Sequence, residues 1–264
     1  MIGRKNNEKK HILITFRKIL ENCNFITTSY VFRFMKVGIM QPYFLPYIGY
    51  FQLINYVEKF VIADDMNFIK GGWINRNYIL LDGKPFRIHL ELISASQNLW
   101  IRSIEIVPKK YKLLKTIEVN YKKAPFFKEV FPLFEEIMNY EERNLARFIG
   151  NSLIKIAKYL KFDTHFEYEG DNLNSEYILK SQERLISNCK VFGATEYVNA
   201  IGGRALYNKE DFKKAGIDLY FLKPRPIEYK QYNNPFVPNL SIIDVLMFNS
   251  IEKTNELMLQ FDLV

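Results

Sequence analysis

The stretch from Val37 to Asp65 constrains the fold of this chain more than any other. Val37–Met40 is a short apolar run of the kind that forms a buried strand. Tyr47–Tyr56 then carries Ile48, Phe51, Leu53 and Ile54, with Val57 beyond them, at helical spacing, and Lys59–Ala63 is a second apolar run ending in Asp64-Asp65. Strand, short loop, helix and strand in so few residues form a βαβ unit. Its strands are expected to be parallel and its crossover right-handed.

The rest of the chain extends an α/β pattern. Asn77–Leu81 and Pro85–Leu90 flank Asp82-Gly83-Lys84, a hairpin signature, and Arg102–Val107 is a further strand candidate. Residues 109–160 read as a helical insertion: Tyr111–Tyr121, Phe126–Asn139 and Glu142–Leu160. Asp163–Tyr168 predicts a strand, Glu176–Val191 a helix, and "ATEYVNAIGG" a strand followed by a glycine turn. Lys209–Ala215 predicts a short helix, Gly216–Leu222 a strand, and Ser241 the start of a last helical region with Asp244 in its capping box. The expectation is one α/β domain over residues 35–264, with a largely parallel sheet.

Charge matters here because of where it lies. The net charge is +8, which taken whole suggests a nucleic-acid partner. Residues 1–34, however, hold seven Lys and Arg against Glu8 and Glu21, so five of the eight charges lie there and three are left for residues 35–264. A body that mildly basic does not demand a phosphate backbone, and no nucleic-acid-binding signature is present. The basic leader is apolar between its charges, but Arg17, Lys18 and Glu21 interrupt it before the ~20 residues a membrane span needs. It reads as an upstream-extended start, as a basic amphipathic helix making peripheral membrane contact, or as an ordinary extra helix; the extended start is preferred. Two cysteines, Cys23 and Cys189, are too few for a disulfide framework or a zinc site and point to a cytoplasmic protein.

Ligands of open α/β sheets sit at the carboxyl ends of the strands, which directs attention to four stretches. Gln41 to Gly49 follows the first strand: Gln41 can both donate and accept, Tyr43 adds a ring, Pro42 and Pro46 stiffen the loop, and Gly49 permits close backbone approach. Asp64 and Asp65 end the second strand. Adjacent residues of a strand face opposite ways, so one of the two is expected in the pocket, as a general base or a ligand for an amine, a ribose or a metal. Lys70, Trp73, Asn75, Arg76 and Asn77 follow, supplying cations for phosphate, a stacking surface and two amides. Gly202-Gly203 offers backbone N–H groups, and Tyr229 and Gln231 alternate along an extended segment. His11, His89 and His165 lie outside these clusters, so a histidine triad has no support.

The first unit resembles the opening βαβ of nucleotidylyltransferases, a Rossmann-like arrangement, although Tyr47-Ile48-Gly49-Tyr50 stands where they carry His-x-Gly-His. A wider resemblance covers Lys36 to Asn249. "QPYFLPYIGYFQLI", "FVIADDMNFIKGGWINRN", "YKKAPFF", "GATEYVNAIGG" and "YKQYNNPFVPNLSIIDVLM", in that order, are similar to blocks of the WbqC-like family. Met40 and Tyr47 depart from it, standing where members often have His and Trp.

The resemblance implies bacterial O-antigen and surface-polysaccharide biosynthesis, with transfer of an acyl or aminoacyl group such as glycine to the amine of a nucleotide-linked amino sugar. On that expectation Asp65 or Asp64 takes the proton. Lys70 and Arg76 hold phosphates, Trp73 stacks, and Gln41, Tyr43, Asn75, Asn77, Gly202, Gly203, Tyr229 and Gln231 bind substrate. No metal is called for; a nucleotide or an activated acyl donor is the co-substrate. The rival readings are a non-catalytic scaffold of a polysaccharide assembly complex and a degenerate nucleotidyltransferase.

Overall fold

Alternation along four parallel strands builds two separate apolar layers. The computed structural model describes residues 35–172, 181–233 and 235–264, and the leader readings fall on residues outside these. In β1 (Lys36–Met40), Val37 and Ile39 join Val61 of β2 (Lys59–Ile62), Tyr197 of β8 (Glu196–Ala200) and Leu219 and Phe221 of β9 (Asp218–Pro224) in one core. Phe60, Ile62, Val198 and Leu222, their alternates on the same strands, join a second and larger core. A sheet apolar on both faces needs a cover on each, which is why these strands read as continuous apolar runs.

The covers are helices. On the larger face lie α1 (Ile48–Tyr56), α4 (Leu145–Tyr159), α8 (Ile242–Phe248) and α9 (Ile251–Met258). On the other face lie α6 (Ser181–Val191) and α7 (Lys209–Lys214). The sheet has six strands in the order β10-β9-β8-β1-β2-β7, where β7 is His165–Tyr168 and β10 is Phe261–Leu263. Every pairing is parallel except β9 with β10, at the edge. Counted along the chain from β7, that is strand order 3-2-1-4-5-6, the order of doubly wound sheets, whose connections diverge between β1 and β8.

The hairpin forms as expected. β3 (Arg76–Leu81) and β4 (Lys84–His89) pair antiparallel across Asp82 and Gly83, with φ of 48° and 74°, the left-handed pair that a two-residue turn requires. The expected strand at Arg102–Val107 shrinks to β6 (Glu105–Ile106), paired with β5 (Leu92–Ile93). Between β6 and β7 run α2 (Tyr111–Tyr121), α3 (Phe127–Asn139) and α4. Of the expected helix Glu176–Val191, residues 181–191 are helical and the earlier ones lie outside the described residues. Gly202-Gly203 is not a tight turn: it belongs to a 3-10 helix, Ile201–Leu206, and neither glycine has a positive φ. Among the described residues no helix is long and apolar enough to cross a membrane.

Candidate functional site

The loop after β1 is held from four directions. Asn77 donates from Nδ2 to Leu45 O (2.5 Å), Ser241 donates from Oγ to the same carbonyl (2.7 Å), Phe44 N donates to Ile74 O (2.9 Å), and Tyr50 Oη donates to Gln41 O (2.7 Å). Leu45 is thereby fixed at φ 44°, uncommon for a leucine. Pro42 and Pro46 thus stiffen a loop that is also hydrogen-bonded throughout. Gly49 does allow a close approach, but to protein: a Cβ there would lie 2.7 Å from Pro224 Cγ and inside the Tyr47 ring.

Between the ends of β1 and β8, where the connections diverge, lies a cleft of about 560 Å³. Met40 and Gln41 from β1 and its loop line it, with Asn199, Gly202 and Gly203 from β8 and the 3-10 helix. Met66 and Ile69 come from the loop after β2, Arg184 and Asn188 from α6, and Glu169 from the end of β7. Gly203 has no room for a side chain, since a Cβ would sit 2.9 Å from Asn199 Nδ2. The lining is mainly amides and apolar side chains around one carboxylate and one guanidinium, the mix typical of small-molecule sites.

One of Asp64 and Asp65 was expected in the pocket, but neither lines this cleft. Asp64 accepts from Gly170 N (2.8 Å) and so fixes the turn that begins α5 (Glu169–Asn172). Burial raises its carboxyl above the ordinary value, with the Gly170 bond and Arg147 pulling the other way. Asp65 is gripped by two guanidiniums, Arg102 at 2.9 Å and Arg184 at 3.3 Å, and its carbonyl accepts from Arg184 as well. Arg184 passes the contact on, donating to Glu169 Oε1 at 2.8 Å, where Asn188 Nδ2 also donates at 2.5 Å. Both aspartates therefore position Glu169, one through the backbone of its turn and one through Arg184.

Glu169 is only 2% exposed, and among the described residues its Oε2 has no hydrogen-bond partner. Burial raises its pKa, opposed by Arg184 and Asn188. Sequence reasoning passed over it, along with Arg184, Asn188 and Asn199. For Glu169 a signal existed: it directly follows the strand expected at Asp163–Tyr168, and the strand-end rule picks it out as readily as Asp64.

The remaining expected site residues divide into two groups. Trp73, 53% exposed, lies 6.1 Å from Tyr43 and 6.0 Å from Tyr78 between ring centroids, with the Arg76 guanidinium 5.9 Å from its own. Lys70 is exposed beside Ile69. The other group is used inside the fold. Asn75 donates to Leu90 O at 2.9 Å, and Asn77 holds Leu45. Tyr229 Oη (2.7 Å) and Gln231 Nε2 (2.5 Å) donate to Asp244 Oδ1, while Tyr121 Oη donates to its Oδ2 (2.9 Å). The expected capping box does not form, since Ser241 N donates to Tyr78 O; Asp244 is instead a fully buried hub that ties α2 and the Tyr229 segment to α8. Among the described residues no cluster of His, Cys, Asp or Glu is arranged to hold a metal.

Fold and cleft together define an α/β protein with a largely parallel sheet covered on both faces and a cleft at its topological switch point. The chain belongs to the WbqC-like protein family, a model of which matches residues 41–256. It is also 29% identical over 222 residues to "Uncharacterized protein Rv1507c" of Mycobacterium tuberculosis (strain ATCC 25618 / H37Rv), a match covering 81% of this chain and 93% of that protein. No solved structure matches the chain.

Proposed function

We propose that the protein acts in the cytoplasm in bacterial surface-polysaccharide biosynthesis, transferring an acyl or aminoacyl group, such as glycyl, to the amine of a nucleotide-linked amino sugar. The observation that carries this reading is Glu169, a buried carboxylate at the cleft with one oxygen pinned and the other, among the described residues, without a partner. The acceptor amine binds beside Glu169 and its nitrogen attacks the carbonyl carbon of an activated acyl donor. A C–N bond forms, the bond to the leaving group breaks with its electron pair, and the amine proton passes to Glu169. A carboxylate whose pKa burial has raised is a stronger base for that step. Asp64 and Asp65 act as positioning residues. Gln41, Asn188 and Asn199 orient the sugar; Lys70 and Arg76, with Tyr43 and Trp73, do not line the cleft and are assigned to the nucleotide end of the substrate, as cations for its diphosphate and rings for its base.

The test has two parts. Nucleotide-linked amino sugars should raise the melting temperature more than plain nucleotides or free sugars do. With a donor in hand, Glu169→Gln should lower acyl transfer about 10²–10⁴-fold while binding persists. Full turnover in Glu169→Gln overturns this assignment. A second reading, a binding or scaffold protein, is favoured by one observation: Trp73 lies open beside Tyr43 and Tyr78, as an interface would place it. Silence across the ligand panel from the folded protein selects that reading.

A further inference from the structure

α2 presents an outward face unlike an ordinary solvated helix. Its inner stripe, Ile117 and Tyr121 with Leu113 and Leu114 beside them, packs into the larger core. Its outer stripe carries Tyr111, 73% exposed, and Val119, 53% exposed, among Lys112, the following Lys122, and Lys115, which pairs with Glu118 of the same stripe at 2.8 Å. Tyr111 and Val119 line one shallow depression together with Leu81 at the end of β3, so their apolar atoms form a patch and are not scattered singly. The hairpin strand β4 adds exposed Phe86 and Arg87 beside it.

The surroundings are cationic. A groove of about 790 Å³ at the start of α2 is lined by Lys109, Lys110, Lys112 and Arg143, against Glu91 and Glu141. Lys110 is committed, donating to Tyr140 O at 2.7 Å, and Arg143 pairs with Glu105 at 2.6 Å. Among the described residues Arg87, Lys109 and Lys112 have no acidic partner within ion-pair distance.

We infer that this face, α2 with Phe86 and Arg87 of β4 beside it, docks on an anionic lipid bilayer. Lysines attract the surface, and Tyr111, Val119 and Phe86 enter the headgroup layer, the division of labour of interfacial helices. Charge argues against the other covers. Residues 1–34 carry five net positive charges, and a second copy would bring the same cations to the contact. RNA would meet the lysines but has no use for the valine. The inference is independent of the cleft and its chemistry, which lie on other elements.

The experiment is vesicle flotation of the full chain, with phosphatidylcholine vesicles with and without phosphatidylglycerol. The wild type should float only with the anionic vesicles. Lys109→Glu with Lys112→Glu should weaken that binding at least about tenfold, and Tyr111→Ser with Val119→Ser several-fold, both without change in melting temperature because these side chains are exposed. Binding unchanged in either double variant overturns the inference. So does no binding by the wild type, or binding abolished by single-stranded RNA in a way that ignores Tyr111 and Val119, which would make the face a general polyanion surface.

Discussion

Asp244 and Glu169 are both buried carboxylates, and what surrounds each decides what it can do. Asp244 receives three hydrogen bonds, from Tyr121, Tyr229 and Gln231, and has a structural role. Removing it leaves those donors buried without an acceptor, so Asp244→Ala should lose about 3–5 kcal/mol in urea unfolding; a loss below about 1 kcal/mol would contradict the network. Burial raises its carboxyl from 3.8, opposed by those three bonds. The folded state therefore holds this proton more tightly than the unfolded chain does. Its contribution to stability is complete below the ordinary value and is lost as pH rises through the raised one. Urea titrations from about pH 4 to neutrality should show the wild type losing stability relative to Asp244→Asn, and parallel curves would contradict the sign. The sequence could suggest Tyr229 and Gln231 as notable, because an aromatic-amide alternation in a loop is unusual. It could not show that their partner is a buried acid on a later helix, which is a fact of tertiary packing. Gln41, Gly202 and Gly203 were legible because the strand-end rule needs only local pattern.

At the scale of elements, α4 closes on β7 at Gly150. A Cβ on Gly150 would lie 2.7 Å from Tyr168 Cζ and 2.8 Å from Ile62 Cδ1. Alanine favours an isolated helix by about 1 kcal/mol over glycine, yet Gly150→Ala should destabilise the protein by about 1–3 kcal/mol through overpacking. Tyr168 directly precedes Glu169, so the same change should also weaken ligand binding at the cleft. A stabilised Gly150→Ala protein would show that helix propensity outweighs the contact. The βαβ unit, the hairpin and α2 were readable in the sequence because their apolar spacing and turn residues are local. β10 was not, since an edge strand of three residues gains its identity from β9 alone. The Gly202-Gly203 segment misled for a similar reason: two adjacent glycines are compatible with a turn and with a 3-10 helix.

For the whole molecule, the strand order matters most. Placing β8 beside β1 brings together a glutamine, a glutamate, an arginine and four asparagine or glycine positions from four separate stretches, and opens the cleft between diverging connections. The sequence implied parallel strands but not which one returns beside β1, so Arg184 and Asn188 of α6 could not be assigned to the site in advance, whereas Glu169 was within reach of the strand-end rule. The methionines offer a direct test of where ligand binds. Met40 and Met66 line the cleft, whereas Met138, Met247 and Met258 are buried in the larger core. In methyl-labelled protein titrated with a nucleotide-linked amino sugar, with signals assigned by Met→Leu variants, the Met40 and Met66 resonances should shift with saturation and the three core methionines should stay in place. Binding detected by calorimetry with Met40 and Met66 unmoved would contradict the cleft as the site.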